Sequence, residues 1–318
     1  MIQNIDFQYQ NLLRKILNEG VRKENRTGID TLAIAGAMIE HDMSEGFPLL
    51  TTKKVYFNGV KVELEGFIKA ITSKRWYQER GCNIWSDWAN PKKVPYGNTE
   101  EAKLRMKNED DLGVIYGAQW RDFKRPNTFK QEEKLVWING GYQPCIEFVP
   151  AQGIDQLKNI VDTLKKNPHD RRMICSAWNP AALGEQALPP CHYVFQVTVL
   201  DNKVNLFFNM RSWDALLGAP FNLASYGLLL HLLTLEVNKY RKENNLPLFN
   251  EGKLICFAAD VHLYENHLQQ AREQLSRKPY ALPQINTDKF TSIFDWEASD
   301  SKIINYISHP AIKAEVAV

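Results

Sequence analysis

Residues 193–212, YVFQVTVLDNKVNLFFNMRS, hold two runs rich in valine, phenylalanine and tyrosine, joined by Asp201-Asn202-Lys203. β-Branched and aromatic side chains fit a pleated surface, so the stretch predicts a β-hairpin. A lone hairpin is marginal in water, so the rest of the chain must supply more strands and a covering layer. ASYGLLLHLLTLEVNKY (224–240) is apolar almost all round and predicts a helix buried in the core. KLICFAADVHLYENHLQQAREQL (253–275) passes from strand to helix, and TLAIAGAMIEHDM (31–43) reads as another strand. Helical spacing marks 6–19, ending at Gly20, then 60–79 and 154–166, while RRMICSAWN (171–179) reads as a buried strand. The mixture predicts an α+β fold around a largely antiparallel or mixed sheet.

Two stretches do not fit that frame. Residues 90–111 are polar, with Pro91, Pro95 and Gly97, and read as a surface loop. Residues 124–153 are similar, although LVWIN and CIEFV within them could pair as a hairpin. The expectation is one domain over 1–318 with polar insertions near 89–110 and 124–152.

The 39 basic and 37 acidic side chains leave a charge of +2, which argues against a general DNA or membrane-surface binder. Local basic clusters stay available for a small anion. The five cysteines (82, 145, 175, 191, 256) are odd in number, widely spaced and without a CxxC pair, which suits reduced thiols in a cytoplasmic protein. MIQNIDFQYQNLLRKIL has interleaved charges and no signal-peptide core. The most apolar stretch, Tyr226–Leu235, is interrupted by His231 and falls far short of the roughly 20 residues that cross a bilayer.

Several short motifs could carry chemistry. In Ala187-Leu188-Pro189-Pro190-Cys191-His192 two prolines stiffen the approach to a cysteine, whose reactive thiolate would need a nearby cation. Alone, such a pair is usually structural, and strand neighbours point to opposite faces, so His192 need not be the base. Arg211-Ser212 at a strand end can hold an oxyanion or simply make an edge salt bridge. Asp170-Arg171-Arg172 cannot turn both arginines inward, which leaves at least one for solvent or a partner subunit. Asn25-Arg26-Thr27-Gly28 is a second basic turn. The histidines of Asp260-Val261-His262-Leu263-Tyr264-Glu265-Asn266-His267 are five apart, not the i, i+4 of a helical zinc pair, so hydrogen bonding is favoured over metal. Ile84-Trp85-Ser86-Asp87-Trp88 could stack a flat ring or fill a core.

Together, RTG (26–28), GFPLLTTKK (46–54), the Glu63 helix, IWxxW (84–88), DLGVIYGAQWRDF (111–123), NPHDRRMICSAWNP (167–180), ALPPCH (187–192), RSWDALLGAPFNLASY (211–226), DVHLYENH (260–267) and QLSRKP (274–279) resemble the folate-dependent thymidylate synthase family. The resemblance runs from about residue 6 to the closing EVAV, apart from the two insertions. It implies a three-layer α+β fold whose curved mixed sheet packs against the same face of a second subunit. It also implies reductive methylation of dUMP to dTMP by 5,10-methylenetetrahydrofolate, giving dihydrofolate, through a covalent adduct of Cys191 to C6. No metal is implied.

By the same resemblance, Arg211 would lower the Cys191 pKa and bind phosphate with Ser212 and Arg26, and with Arg171 and Arg172 from the other subunit of a homodimer. Asn222 would read the uracil; His262 and Tyr264 would hold the sugar; Trp213 and Leu263 fall in the same dUMP-contacting segments. Glu63 would move protons at O4, Tyr116 would assist removal of the C5 proton, and His192 would support the water network. Asp214 would bond the pterin and the pyrimidine. Tyr56, Trp85 and Trp88 would flank the folate, and Ala317 and Val318 would close over it. No membrane is implied, and the one nucleic acid left open is the protein's own messenger RNA.

The sequence departs from the family pattern at Met210, Trp213, Glu65-Gly66 (usually an apolar-tryptophan pair), Ser86, Tyr56 and Ile29-Asp30. The alternatives are a dUMP or dCMP hydroxymethylase of the same fold, in which water replaces hydride, and a non-enzymatic nucleotide-binding regulator. Asn222 and Trp85 weigh against the first, and Cys191, Glu63 and Tyr116 against the second.

Overall fold

A computed structural model describes residues 4–25, 28–123, 129–138, 141–150 and 152–315. The elements run α1 (Ile5–Glu19), β1 (Val21–Lys23), β2 (Thr31–Asp42), α2 (Phe57–Ile68), α3 (Lys74–Glu79), α4 (Glu100–Asn108), α5 (Tyr116–Arg121), β3 (Phe129–Ile138) and β4 (Gly141–Pro150). They continue with α6 (Gln156–Lys166), β5 (Ile174–Ser176), β6 (His192–Leu200), β7 (Lys203–Asp214), α7 (Gly218–Glu243), β8 (Asn250–Tyr264), α8 (Leu268–Leu275), β9 (Gln284–Thr287) and β10 (Ser301–Ile304).

Strands β6 and β7 form the expected hairpin. Asp201 and Asn202 carry φ of 50° and 55°, the paired left-handed conformation that matches strand twist in a two-residue turn. The central sheet has six strands in the order β1-β2-β8-β7-β6-β5. Every neighbouring pair is antiparallel except β7 and β8, which are parallel and joined through α7, so the sheet is mixed. Helix α7 is buried along most of its length and lies over β7 and β8, flanked by α2 and α6, while α1 covers β2. The core therefore sits between the sheet and one helical layer.

Among the described residues, no element covers the opposite face of the sheet. Met38 pairs with Phe257, which pairs with Asn209; Phe207 pairs with Gln196, which pairs with Ile174. These partners share one face, on which Met38, Phe257 and Ile174 are 57%, 41% and 47% exposed.

Three expectations are corrected. The helix read over 60–79 is two helices: Lys69–Ser73 leaves the helical path at Ala70 (φ 55°), because Thr72 accepts from Leu112 N–H and Ser73 bridges Asp111. Ser73 then caps α3 through Trp76 N–H. The polar stretch 90–111 contains α4, capped by Thr99 with Glu100 and Glu101 in its first turn. The strand read over 171–179 shortens to β5, an edge strand in which only Cys175 is buried. Between Lys124 and Gly153, β3 and β4 pair as a hairpin with Leu135, Trp137, Tyr142 and Ile146 exposed.

Candidate active site

The parallel pair β7 and β8 aligns Ser212 with Asp260 and Asp214 with His262, while β2 places Thr31 beside Tyr264. These strand ends, with the approach to β6, surround a cavity of about 610 Å³ lined by Cys191, Arg211, Ser212, Asp214, His262 and Tyr264. Trp88 and Trp178 also face it.

Cys191 stands one residue before β6, beside a register shift between His192 and Val194 that breaks strand alternation. Arg211 holds it from β7. The guanidinium donates to the Pro190 carbonyl through Nε (2.9 Å) and to the Pro189 carbonyl through Nη2 (2.7 Å), and Nη2 lies 3.6 Å from the Cys191 Sγ. The prolines thus supply carbonyls that fix the cation against the sulfur. Burial pushes the thiols of Cys82 (to about 12), Cys175 and Cys256 up, so these three stay protonated. Among the described residues, no disulfide joins any cysteine.

Behind the sulfur lies a wall of stacked rings. The Cys191 N–H donates to the Tyr116 hydroxyl (2.8 Å), and the Tyr116 ring stacks on His192 with centroids 4.1 Å apart. His192 Nδ1 pairs with the Tyr226 hydroxyl at 2.9 Å. Burial lowers His192 to about 3, so its ring is neutral near pH 7. Burial also raises the Tyr116 hydroxyl well above its ordinary 10, with Cys191 adding to the effect. Phe67, one turn beyond Glu63 on α2, stacks on Tyr116 (4.9 Å) and meets Trp85 edge-on.

Glu63 is buried on α2, and burial lifts its carboxyl from 4.5 to about 7. The Trp85 indole N–H opposes that rise in part, although among the described residues it meets no acceptor at full hydrogen-bonding geometry. A carboxyl poised near 7 both donates and accepts protons at neutral pH. At the other end of the cavity, Asp260 accepts from His262 Nδ1 (2.9 Å) and pairs with Lys23. Burial pushes Asp260 up, but bonds from Lys23 and His262 outweigh it and hold the carboxyl below its ordinary value. Asp214 Oδ1 accepts from Leu216 and Leu217 N–H at the entry to α7.

A thiol beside a fixed guanidinium, a neutral imidazole and a carboxyl titrating near 7 can add a nucleophile and then move protons. The sequence model described as thymidylate synthase matches residues 7–318. The thymidylate synthase of Corynebacterium aurimucosum is 38% identical over 318 residues, all of both chains. The chain belongs to the thymidylate synthase family. The α+β reading with a mixed sheet stands, and so does the identification of the chain as an enzyme of the methyltransferase kind.

The residues singled out from the thymidylate synthase resemblance divide by position. Cys191, Arg211, Ser212, Asp214, His262, Tyr264 and Trp88 line one cavity. Tyr116 and His192 lie directly behind the cysteine, and Glu63 and Trp85 are buried beside Phe67 and Tyr116. Trp213 and Leu263 are fully buried on the other side of their strands, so only their backbones adjoin the cavity. Asn222 is half-buried on α7 and bonded to Trp213. Tyr56 is 55% exposed and is not part of the lining. Arg171 and Arg172 are exposed beside β5, at the far edge of the sheet, where Arg172 pairs with Asp170 at 2.7 Å. Arg26 and Ala317 lie outside the described residues.

Sequence reasoning missed Phe67, Tyr226 and Asp260 as parts of the site. Phe67 and Tyr226 carried only the signal of core periodicity. Asp260 had a usable one, an acid two residues before a histidine on a strand, which puts both on one face.

Proposed function

We propose that the chain converts dUMP to dTMP with 5,10-methylenetetrahydrofolate as co-substrate, releasing dihydrofolate, and that the residues above divide the work as follows. The observation that carries the reading is the Cys191 sulfur held 3.6 Å from a guanidinium that two proline carbonyls fix in place, with Nη1 left for an anion. A cation so placed favours the thiolate, which adds to C6 of the pyrimidine and makes C5 nucleophilic. Arg211 and Ser212 bind the phosphate, joined by Arg26 and by the partner's counterparts of Arg171 and Arg172. Asn222 reads the base, and His262, oriented by Asp260, bonds the sugar with Tyr264.

Glu63 holds or releases a proton at O4, since its carboxyl titrates near 7. Tyr116 keeps its proton and, through water, assists departure of the C5 proton, with neutral His192 ordering that water. The folate supplies a one-carbon unit and a hydride when bound. The residues present fit it: Trp88 offers an aromatic wall, Trp85 a buried indole N–H near Glu63, and Asp214 an Oδ2 that makes no hydrogen bond among the described residues. The reading calls for no metal.

The uncovered sheet face supports a homodimer in which Arg171 and Arg172 reach the partner's site, giving a role to two exposed arginines beside an apolar surface. No helix among the described residues is long and apolar enough to cross a membrane. Reduced, unpaired-with-each-other cysteines suit the cytoplasm.

The test is the fate of the folate on incubation with dUMP and methylenetetrahydrofolate, read by dihydrofolate absorbance and nucleotide mass. Dihydrofolate rising in step with dTMP is the expected result. Tetrahydrofolate with hydroxymethyl-dUMP would instead put water in the hydride's place. The departure at Gly66 leaves no vacancy, because the Tyr77 ring occupies the space over it: a Cβ there would lie 2.2 Å from Tyr77 Cε1.

A further inference from the structure

Trp213 sits between two cavity residues and is itself fully buried. Ser212 and Asp214 line the cavity, while the side chain between them is enclosed in the core and reaches α7. There its indole Nε1 donates to the Oδ1 of Asn222 at 3.2 Å. An indole N–H can only donate, so the atom it meets must be the amide oxygen, and the orientation of the Asn222 amide is fixed by chemistry. The amide nitrogen, Nδ2, makes no hydrogen bond among the described residues.

We propose that Trp213 is a positioning residue that locks the Asn222 amide in one orientation and thereby selects a 4-oxo pyrimidine nucleotide over a 4-amino one. The proposal rests on the reading of Asn222 as the residue that contacts the base. Uracil presents an acceptor at O4 and a donor at N3; cytosine presents a donor at N4 and an acceptor at N3. An amide reads the first with its NH₂ at position 4 and its oxygen at N3–H. Rotated by half a turn, the same amide reads the second, so asparagine free to flip discriminates poorly. With Trp213 in place the flip sets NH₂ against a buried indole N–H and leaves that donor unpaired. The locked orientation loses nothing, because an amide oxygen has two acceptor sites: one takes the indole, and the other remains for N3–H. Full burial leaves Trp213 no room to follow a flipped amide.

The experiment measures dissociation constants for dUMP and dCMP without folate. It uses the full-length protein, the Trp213→Phe variant, a variant carrying benzothienylalanine at 213 (indole shape without the N–H), and Asn222→Ala. The expected result is a fall in preference for dUMP by about tenfold, equivalent to 1.4 kcal/mol, when the N–H is removed. A folded variant without the N–H that keeps the full preference, while Asn222→Ala loses it, overturns the lock and leaves the base reading standing. Preference surviving in Asn222→Ala overturns both. Should Trp213→Phe not fold, the isosteric variant decides. A merely structural Trp213 would weaken both nucleotides together and leave their ratio unmoved.

Discussion

Replacing Glu63 by glutamine separates what this carboxyl does for chemistry from what it does to stability. Its pKa is 4.5 in an unfolded chain and about 7 in the folded one, because burial penalises the charged form. Below pH 4.5 both states are protonated, so the wild type carries no charge penalty there. Between these values the folded chain binds the extra proton, so stability falls as pH rises and levels off above about 7. At about 1.4 kcal/mol for each tenfold, the full loss is roughly 3 kcal/mol. Glutamine keeps the shape and never ionises, so Glu63→Gln is expected to match the wild type near pH 4.5 and exceed it by roughly that amount at pH 8. The same variant loses a proton carrier, an effect of about 10²–10⁴ in turnover. Urea unfolding at pH 5 and pH 8, at one protein concentration, measures the first, and steady-state turnover the second. A stability difference that does not change with pH, or that favours the wild type at pH 8, would refute the argument that burial alone raises this carboxyl.

His192, lowered to about 3 by burial, does not titrate near neutrality, so His192→Asn should slow turnover while leaving an inflection near pH 7 that Glu63→Gln removes. Gly66→Ala should destabilise the fold by about 1–3 kcal/mol in urea, since a Cβ there falls 2.2–2.4 Å from the Tyr77 ring and hydroxyl. Mixing inactive Cys191→Ser and Arg172→Glu chains should restore about a quarter of wild-type activity, because each hybrid dimer holds one intact site and half of randomly assorted dimers are hybrid. Activity remaining at zero after demonstrated exchange would place Arg172 in its own chain's site.

How far the sequence carried depended on whether a pattern was local. The β6–β7 hairpin, α7 and the passage from β8 into α8 were legible because side-chain type and turn residues decide them within one segment. The break between α2 and α3 was not, since Thr72 and Ser73 leave the helix to pair with residues near position 111. The same division runs through the site. Local motifs, and the family resemblance they carry, identified Cys191 and Arg211 as candidates, but a 3.6 Å approach depends on two proline carbonyls that only the folded chain aims at the guanidinium. In Arg211-Ser212-Trp213-Asp214 the motif reads as one contiguous patch, whereas the fold divides it, with Arg211, Ser212 and Asp214 at the cavity and Trp213 in the core. A bulky residue at 213 therefore need not crowd a ligand. It reaches the site from behind, through Asn222, which is why a departure from the family pattern in the middle of a nucleotide-binding motif is compatible with an intact cavity.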